Sequence, residues 1–172
     1  MDYKRETIVI KNAQLWFPNF SGEAGDFNTV GDRHVHVAID KDLADSFLER
    51  GGNVKERINR KTEEPFYTIK LSIKYRDKTG NLKPISLQPK IFMVGHRGPE
   101  RLSEERVGVL DNVFITKVDL SFNVGTYEDR KTHENRIAFY LNELYATIEE
   151  SELERDYSQY DGPSPDLPFN VD

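Results

Sequence analysis

Lys70, Lys74 and Arg76 fall at even spacing in a run whose intervening positions, Ile69, Leu71, Ile73 and Tyr75, are apolar. Side chains of an extended strand alternate between two faces, so this spacing sets the three cations on one face and the apolar residues on the other. A row of cations at strand spacing is suited to a phosphate backbone. The complementary chemistry is stacking on unpaired bases, which needs flat aromatic faces in solvent. Trp16 has the opposite parity from Leu15 and Phe17, Phe20 and Phe27 lie in a polar loop rich in glycine and asparagine, and Tyr127 sits in a polar hairpin. These four are the aromatics least compelled to be core. Arg33, Lys117 and Arg130 join the cations if the sheet curls round. Each residue also has a plainer role open to it. Polar side chains line the outer face of any half-exposed strand, and Phe20 and Phe27 can pin their loop to the core.

Other chemistries find little support. The chain has no cysteine, so it offers neither a disulfide, a thiolate nucleophile nor a Cys-ligated zinc. It lacks the glycine-rich phosphate loop, the dinucleotide fingerprint and the nucleophile elbow. His34 and His36 share a strand face, but no third metal ligand stands at a clear spacing. Asp111 and Asp119 with Lys117 are the best arrangement for a Mg²⁺-dependent nuclease, and ordinary surface charge explains them equally well. No catalytic residue, metal or cofactor is therefore expected, and the chain is read as a binding protein rather than an enzyme.

The elements that would hold these residues are mostly strands. Residues 7–17 alternate, with a change of parity between Ile10 and Ala13 that marks a bulge or bend. A loop follows at 18–32, then a strand at 33–39 with Val35, Val37 and Ile39 inward. Asp40 is an N-cap for a short helix with an apolar stripe of Leu43, Ala44, Phe47 and Leu48, closed by Gly51-Gly52. Strands are expected at 66–76, in one or two pieces between Lys83 and His96, at 115–124 and at 136–148, with a second short helix near Glu104–Leu110. No internal repeats are expected. Many short strands with few helices imply an all-β fold, a small antiparallel barrel or a sandwich.

Charge divides the chain. Residues 149–172 carry eight acids and one base, a net −7, whereas the rest holds 23 bases against 22 acids, a net +1. Any basic face on the body must then arise from segregation rather than excess. The end of the chain, from Gly162-Pro163-Ser164-Pro165 onward, cannot be regular structure and is expected to be disordered. Its Asp166-Leu167-Pro168-Phe169, followed by Asp172, is an apolar pair flanked by acids, suited to a small hydrophobic pocket ringed by basic residues on a partner. The expected division is a domain over 1–150 and an acidic, partner-binding tail over 151–172. No apolar run is long enough for a signal peptide or membrane span.

Several stretches resemble a family of bacteriophage single-stranded DNA-binding proteins. They are Phe17-Pro18-Asn19-Phe20-Ser21-Gly22-Glu23-Ala24-Gly25-Asp26-Phe27-Asn28, Gly31-Asp32-Arg33, Leu110-Asp111-Asn112, Lys117-Val118-Asp119-Leu120 and Leu144-Tyr145-Ala146-Thr147-Ile148-Glu149-Glu150. The resemblance runs from about Ile8 to Tyr157. It implies an OB-fold-like barrel, no catalysis, and sequence-tolerant coverage of replication or recombination intermediates in the cytoplasm of the bacterial host cell. The tail resembles the acidic C-terminal tips of such proteins, except that Asn170, Val171 and Asp172 follow Phe169. The expected partners are single-stranded DNA and replication or recombination proteins, and a homodimer is compatible with the chain. The competing readings are a phage structural or assembly protein built as a β-sandwich and, behind it, the Mg²⁺-dependent nuclease.

Overall fold

The computed structural model describes residues 6–23 and 31–150. In chain order these form β1 (Glu6–Ile10), β2 (Leu15–Asn19), β3 (His34–Ile39), α1 (Lys41–Glu49), β4 (Val54–Ile58), β5 (Pro65–Ser72), β6 (Lys90–Gly95), β7 (Gly98–Arg101), β8 (Ile115–Glu128) and β9 (Asn135–Ile148), with 3-10 turns at Ile85–Leu87 and Val107–Asp111. The expected all-β chain with short helices is what forms, although the second helix is only the 3-10 turn that buries Val107 and Leu110.

The strands make one sheet in the order β1-β8-β9-β5-β3-β2, with β4 added to β5 and the β6–β7 pair added to β9. The sheet is mixed where an antiparallel barrel was expected, because β9 runs parallel to both β5 and β6. At 14 residues β9 is long enough to serve two partners in turn, Leu71 facing Phe139 early in the strand and Ile91 facing Leu144 later. Nor does the ladder close on itself. Its two ends, β1 and β2, are instead consecutive in the chain, joined through residues 11–14, where the Ala13 N–H still donates to the Val118 carbonyl at 2.7 Å. The parity change at Ile10–Ala13 is this joint, and it lets one bent segment pair with β8 and then with β3.

The core lies between the faces of the curved sheet. Val35, Val37, Ile69, Leu71, Phe122 and Leu144 are fully or almost fully buried there. The Asp40 side chain accepts from the Leu43 N–H at 2.8 Å and starts α1, an N-cap of a kind that stabilises a helix by about 1 kcal/mol. The helix presses Phe47 onto Phe139 and Phe122, with ring centres 4.6 and 6.2 Å apart. It ends at Gly51, whose φ of 81° favours glycine.

Two local readings need correction. Phe17 does not continue the inward set of Leu15. Its φ of 47° puts it in the left-handed region, which breaks the strand alternation and leaves the ring 57% exposed. And β4 was not anticipated, because its centre, Lys55-Glu56-Arg57, carries charge instead of apolar alternation. Charge of this kind is tolerated on a strand paired along one side only, as β4 is with β5.

Candidate nucleic-acid interface

β2, β3, β5 and β4 lie side by side, and their registers define one outer face. Trp16 stands opposite His36, His36 opposite Lys70, and Arg57 opposite Phe66. The inner positions of the same strands, Val35, Val37, Ile69 and Leu71, fill the core, so the outer positions are what remains for a ligand. Trp16 leans on Phe66 with ring centres 5.2 Å apart and keeps 37% of its surface exposed. Phe17, turned outward by its left-handed backbone, meets the edge of His36 at 5.7 Å. The Arg57 guanidinium lies over the Phe17 ring, 4.8 Å from its centre, and its Nε donates to Thr68 Oγ1 at 3.0 Å. Two neighbouring aromatic side chains are thereby held next to cations, the combination that stacking plus phosphate neutralisation requires.

The electrostatics of the face are graded. Asp32 sits 3.7 Å from Lys70 Nζ and 3.8 Å from His34 Nδ1. His34 and His36 meet edge to face at 5.7 Å. Burial, then the positive neighbours His34, Arg57 and Lys70, push the His36 imidazole from 6.5 down to about 4. At neutral pH His36 is therefore an uncharged ring, and the cations of this face are Arg57, Lys70 and Lys55.

The residues singled out from the sequence meet different fates. Trp16 and Lys70 come together on the face just described, and Lys74 is exposed beyond the end of β5. Phe20 is fully buried, so its ring belongs to the core and is not a stacking platform. Arg33 and Arg76 are drawn off to one carboxylate. Arg76 Nη2 lies 2.7 Å and Arg33 Nη1 3.4 Å from Glu104, and Arg76 Nη1 also donates to the Gly80 carbonyl at 2.9 Å. The hydrogen bonds from Arg76 hold the Glu104 carboxyl below its ordinary range despite partial burial. Lys117 pairs with Asp119 at 3.5 Å. Tyr127, 48% exposed, stands near the far end of β8, and Arg130 lies in the turn that follows; in the strand order β5 and β3 stand between β9 and the β2 strand of Trp16. Phe27 and the tail residues Asp166, Leu167, Pro168, Phe169 and Asp172 lie outside the described residues.

Phe17, Lys55, Arg57, His36 and Phe66 are the members that sequence reasoning missed. Phe66 and Arg57 had no signal until β4 was known to pair with β5, and Phe17 had the wrong parity.

The conspicuous motif Asn19-Phe20-Ser21-Gly22 turns out to be a braced loop. Both carboxylate oxygens of Asp111 accept from it, Oδ1 from the Phe20 N–H and Oδ2 from the Ser21 N–H, each at 2.9 Å. Arg33 Nε donates to the Phe20 carbonyl at 3.0 Å, and Asn19 Oδ1 accepts from the Gly22 N–H at 3.1 Å. Asp111 is thus occupied in holding the end of β2. Asp119 accepts from the Asn12 N–H at 2.9 Å, which keeps its carboxyl low. The acids weighed for a metal-dependent nuclease are therefore already engaged, and among the described residues no three His, Asp or Glu side chains are grouped to hold a metal ion. No helix of the described residues is long and apolar enough to cross a membrane.

A family model described as "Putative phage ssDNA-binding domain" matches residues 1–167. No curated protein sequence matches the chain. Among solved structures, the chain is similar to the single-stranded DNA-binding protein from bacteriophage Enc34, at 11% identity and a TM-score of 0.48 over 93% of this chain and 88% of that one. The same Enc34 protein in complex with ssDNA gives 11% identity and a TM-score of 0.46, over 84% and 88%. The gp2.5 single-stranded DNA-binding protein encoded by bacteriophage T7 gives 10% identity and 0.45, over 98% and 96%. No residue role passes from these structures to this chain.

Proposed function

The chain belongs to the phage single-stranded DNA-binding domain family, and on that premise we propose that it holds single-stranded DNA, without catalysis, on the outer face of β2, β3, β5 and β4. The observation that carries this placement is the pair Trp16 and Phe17, consecutive in sequence yet both in contact with the His36–Phe66 surface. Consecutive strand residues ordinarily point to opposite faces. The left-handed turn at Phe17 supplies two adjacent flat rings, enough for successive bases to stack. Arg57, Lys70 and Lys55 then neutralise the phosphates between those bases. Base faces are stacked and no base edge is read, so the binding is sequence-tolerant.

The body acts as the DNA-binding unit, and residues 151–172 recruit replication or recombination proteins in the bacterial cytoplasm through Asp166, Leu167, Pro168, Phe169 and Asp172. The support for the tail is its composition: eight acids against one base over 149–172, with Leu167-Pro168-Phe169 as the apolar element. The same charge competes with DNA for the cations of the body.

The deciding measurement is binding to a fluorescent oligo-dT with duplex DNA as competitor, at two salt concentrations and with Mg²⁺ present. Tight, salt-sensitive binding that duplex does not displace, with the oligonucleotide left intact, is the expected result. Absence of binding at low salt rejects the reading in favour of an assembly protein, and cleavage of the oligonucleotide rejects the non-catalytic part.

A further inference from the structure

One short motif recurs in the chain. Asn59-Arg60-Lys61-Thr62-Glu63-Glu64 joins β4 to β5, and Asp129-Arg130-Lys131-Thr132-His133-Glu134 joins β8 to β9. The two turns are built alike, bond for bond. In each, the first residue's N–H donates to the sixth residue's carbonyl at 2.9 Å, and the fifth residue's N–H returns to the first carbonyl at 2.8 Å. The Oδ1 atom of the first side chain accepts from the third residue's N–H, at 2.9 Å for Asn59 and 2.8 Å for Asp129. The hydroxyl of the fourth residue, Thr62 or Thr132, accepts from the sixth N–H at 3.4 Å. The fifth residue is left-handed in both, with φ of 59° at Glu63 and at His133.

This construction leaves the second and third side chains, Arg60-Lys61 and Arg130-Lys131, out of the turn's internal bonding. All four are exposed, and among the described residues none has an ion-pair partner, in contrast to Arg33, Arg76 and Lys117. The acids near the second turn are drawn to other groups: Glu128 lies 3.2 Å from His133, and Asp129 lies 3.2 Å from Arg136. Each turn is formally balanced in charge, so what it offers is placement: two adjacent cations at a rigid crown with no competing carboxylate bound to them.

The two crowns stand at the N-terminal ends of β5 and β9. β5 and β9 run parallel with Leu71 facing Phe139, and each turn precedes its strand. The parallel pairing covers Leu71 and Ser72 with Phe139 and Tyr140; before it β5 pairs with β4, and the start of β9 passes Gly51, where an added Cβ would meet the Asn135 carbonyl at 3.0 Å. The first turn also directly prolongs the two strands that carry Arg57 and Lys70.

We propose that the twin Arg-Lys crowns form a second, phosphate-binding site that takes up single-stranded DNA leaving the aromatic face. The proposal rests on the binding function proposed above and adds to it Arg60, Lys61 and Lys131, alongside Arg130. The crowns contribute charge and no stacking, so they act only on strands long enough to run past the face.

The test compares the full-length protein with Arg60→Ser/Lys61→Ser, Arg130→Ser/Lys131→Ser and the fourfold variant, on a short oligo-dT of about eight nucleotides and on one about three times longer, within the span of single-strand site sizes. Thermal melts check folding, and Arg60→Lys/Arg130→Lys is the charge-conserving control. Short-oligonucleotide affinity is expected to stay within about twofold in every variant. On the long oligonucleotide, the slope of log affinity against log salt is expected to fall by about 1.4 for each pair and about 3 for the fourfold variant, at about 0.7 per lost phosphate contact. The charge-conserving control keeps the wild-type slope. A slope unmoved by four substitutions, with wild-type protein binding both oligonucleotides, overturns the crowns and leaves the face standing. Equal losses on short and long strands overturn the separate site. Failure of the wild-type protein to bind either oligonucleotide overturns the parent reading, and this one with it.

Discussion

Arg57 holds its guanidinium over the ring of Phe17, 4.8 Å from the ring centre, and Phe17 reaches that position only through a left-handed backbone. The left-handed conformation costs a non-glycine residue roughly 1–2 kcal/mol, and a half-exposed cation–π contact returns about 0.5–1 kcal/mol. Phe17→Gly relieves the first and loses the second, so fold stability should change little. Affinity for single-stranded DNA should fall about 5- to 150-fold, the equivalent of about 1–3 kcal/mol for one lost stacking platform. Trp16→Ala should give a loss of the same order. Melting curves beside oligonucleotide titrations of the two variants check this, and an unchanged affinity in both removes the face from the binding site.

Lys70, with Nζ 3.7 Å from Asp32, and Arg76, held by Glu104 at 2.7 Å, should separate in salt titrations. Lys70→Ala should lower the salt slope by about 0.7, the value for one phosphate contact on a single strand. Arg76→Ala should leave the slope unchanged and lower the melting temperature, because it strips Glu104 of its closest partner. If Arg76→Ala instead flattens the slope, the ion pair with Glu104 opens to admit DNA.

His36 gives the fold a pH dependence whose sign follows from its burial. Its folded-state value of about 4 lies below the ordinary 6.5, so folding favours the neutral ring. The associated stability is complete above pH 6.5 and is lost as the pH falls toward 4, where both states are protonated. Urea midpoints at pH 7.5 and pH 5 should differ less in His36→Gln than in the parent protein. An identical difference in both would mean that the ring does not titrate differently on folding.

The twin turns predict twin responses. Glu63→Gly and His133→Gly each place glycine where the backbone is already left-handed, and each should stabilise the fold by about 0.5–1 kcal/mol. Asn59→Ala and Asp129→Ala should both destabilise it, since each removes the acceptor that closes its turn. Chemical denaturation of the four variants is the check, and opposite signs within either pair would contradict the shared geometry.

Deleting residues 158–172 removes three of the eight acids of the 149–172 stretch and no base. DNA binding should be preserved or tightened, most clearly at low salt, and partner binding should be lost. Weaker DNA binding after truncation would show that the tail assists binding instead of competing with it.

The sequence by itself determined the elements with strong local signals. The alternation in β3 and β5, the bend between Ile10 and Ala13, the Asp40 cap and the stop at Gly51-Gly52 all stand where pattern and capping chemistry put them. Trp16 was legible as an outward residue because its parity differs from that of its core neighbour Leu15. The two matching turns were also legible, as Asn/Asp-Arg-Lys-Thr-x-Glu, but six residues are too few to stand out as a repeat before their hydrogen bonds are known.

Only the tertiary structure decided which of these residues share a site. Lys70 and Arg76 look equivalent in the strand pattern, yet Arg76 is captured at 2.7 Å by Glu104 from a segment 28 residues away, and Lys70 stays on the outer face with Asp32 at 3.7 Å. Phe20 looks like a loop aromatic until packing buries it, and Phe17 looks like core until its backbone turns it out. Parity is a local rule that reports which way a side chain leaves its own strand. Long-range pairing sets the partner each side chain meets, and with it how closely each cation is held by a carboxylate.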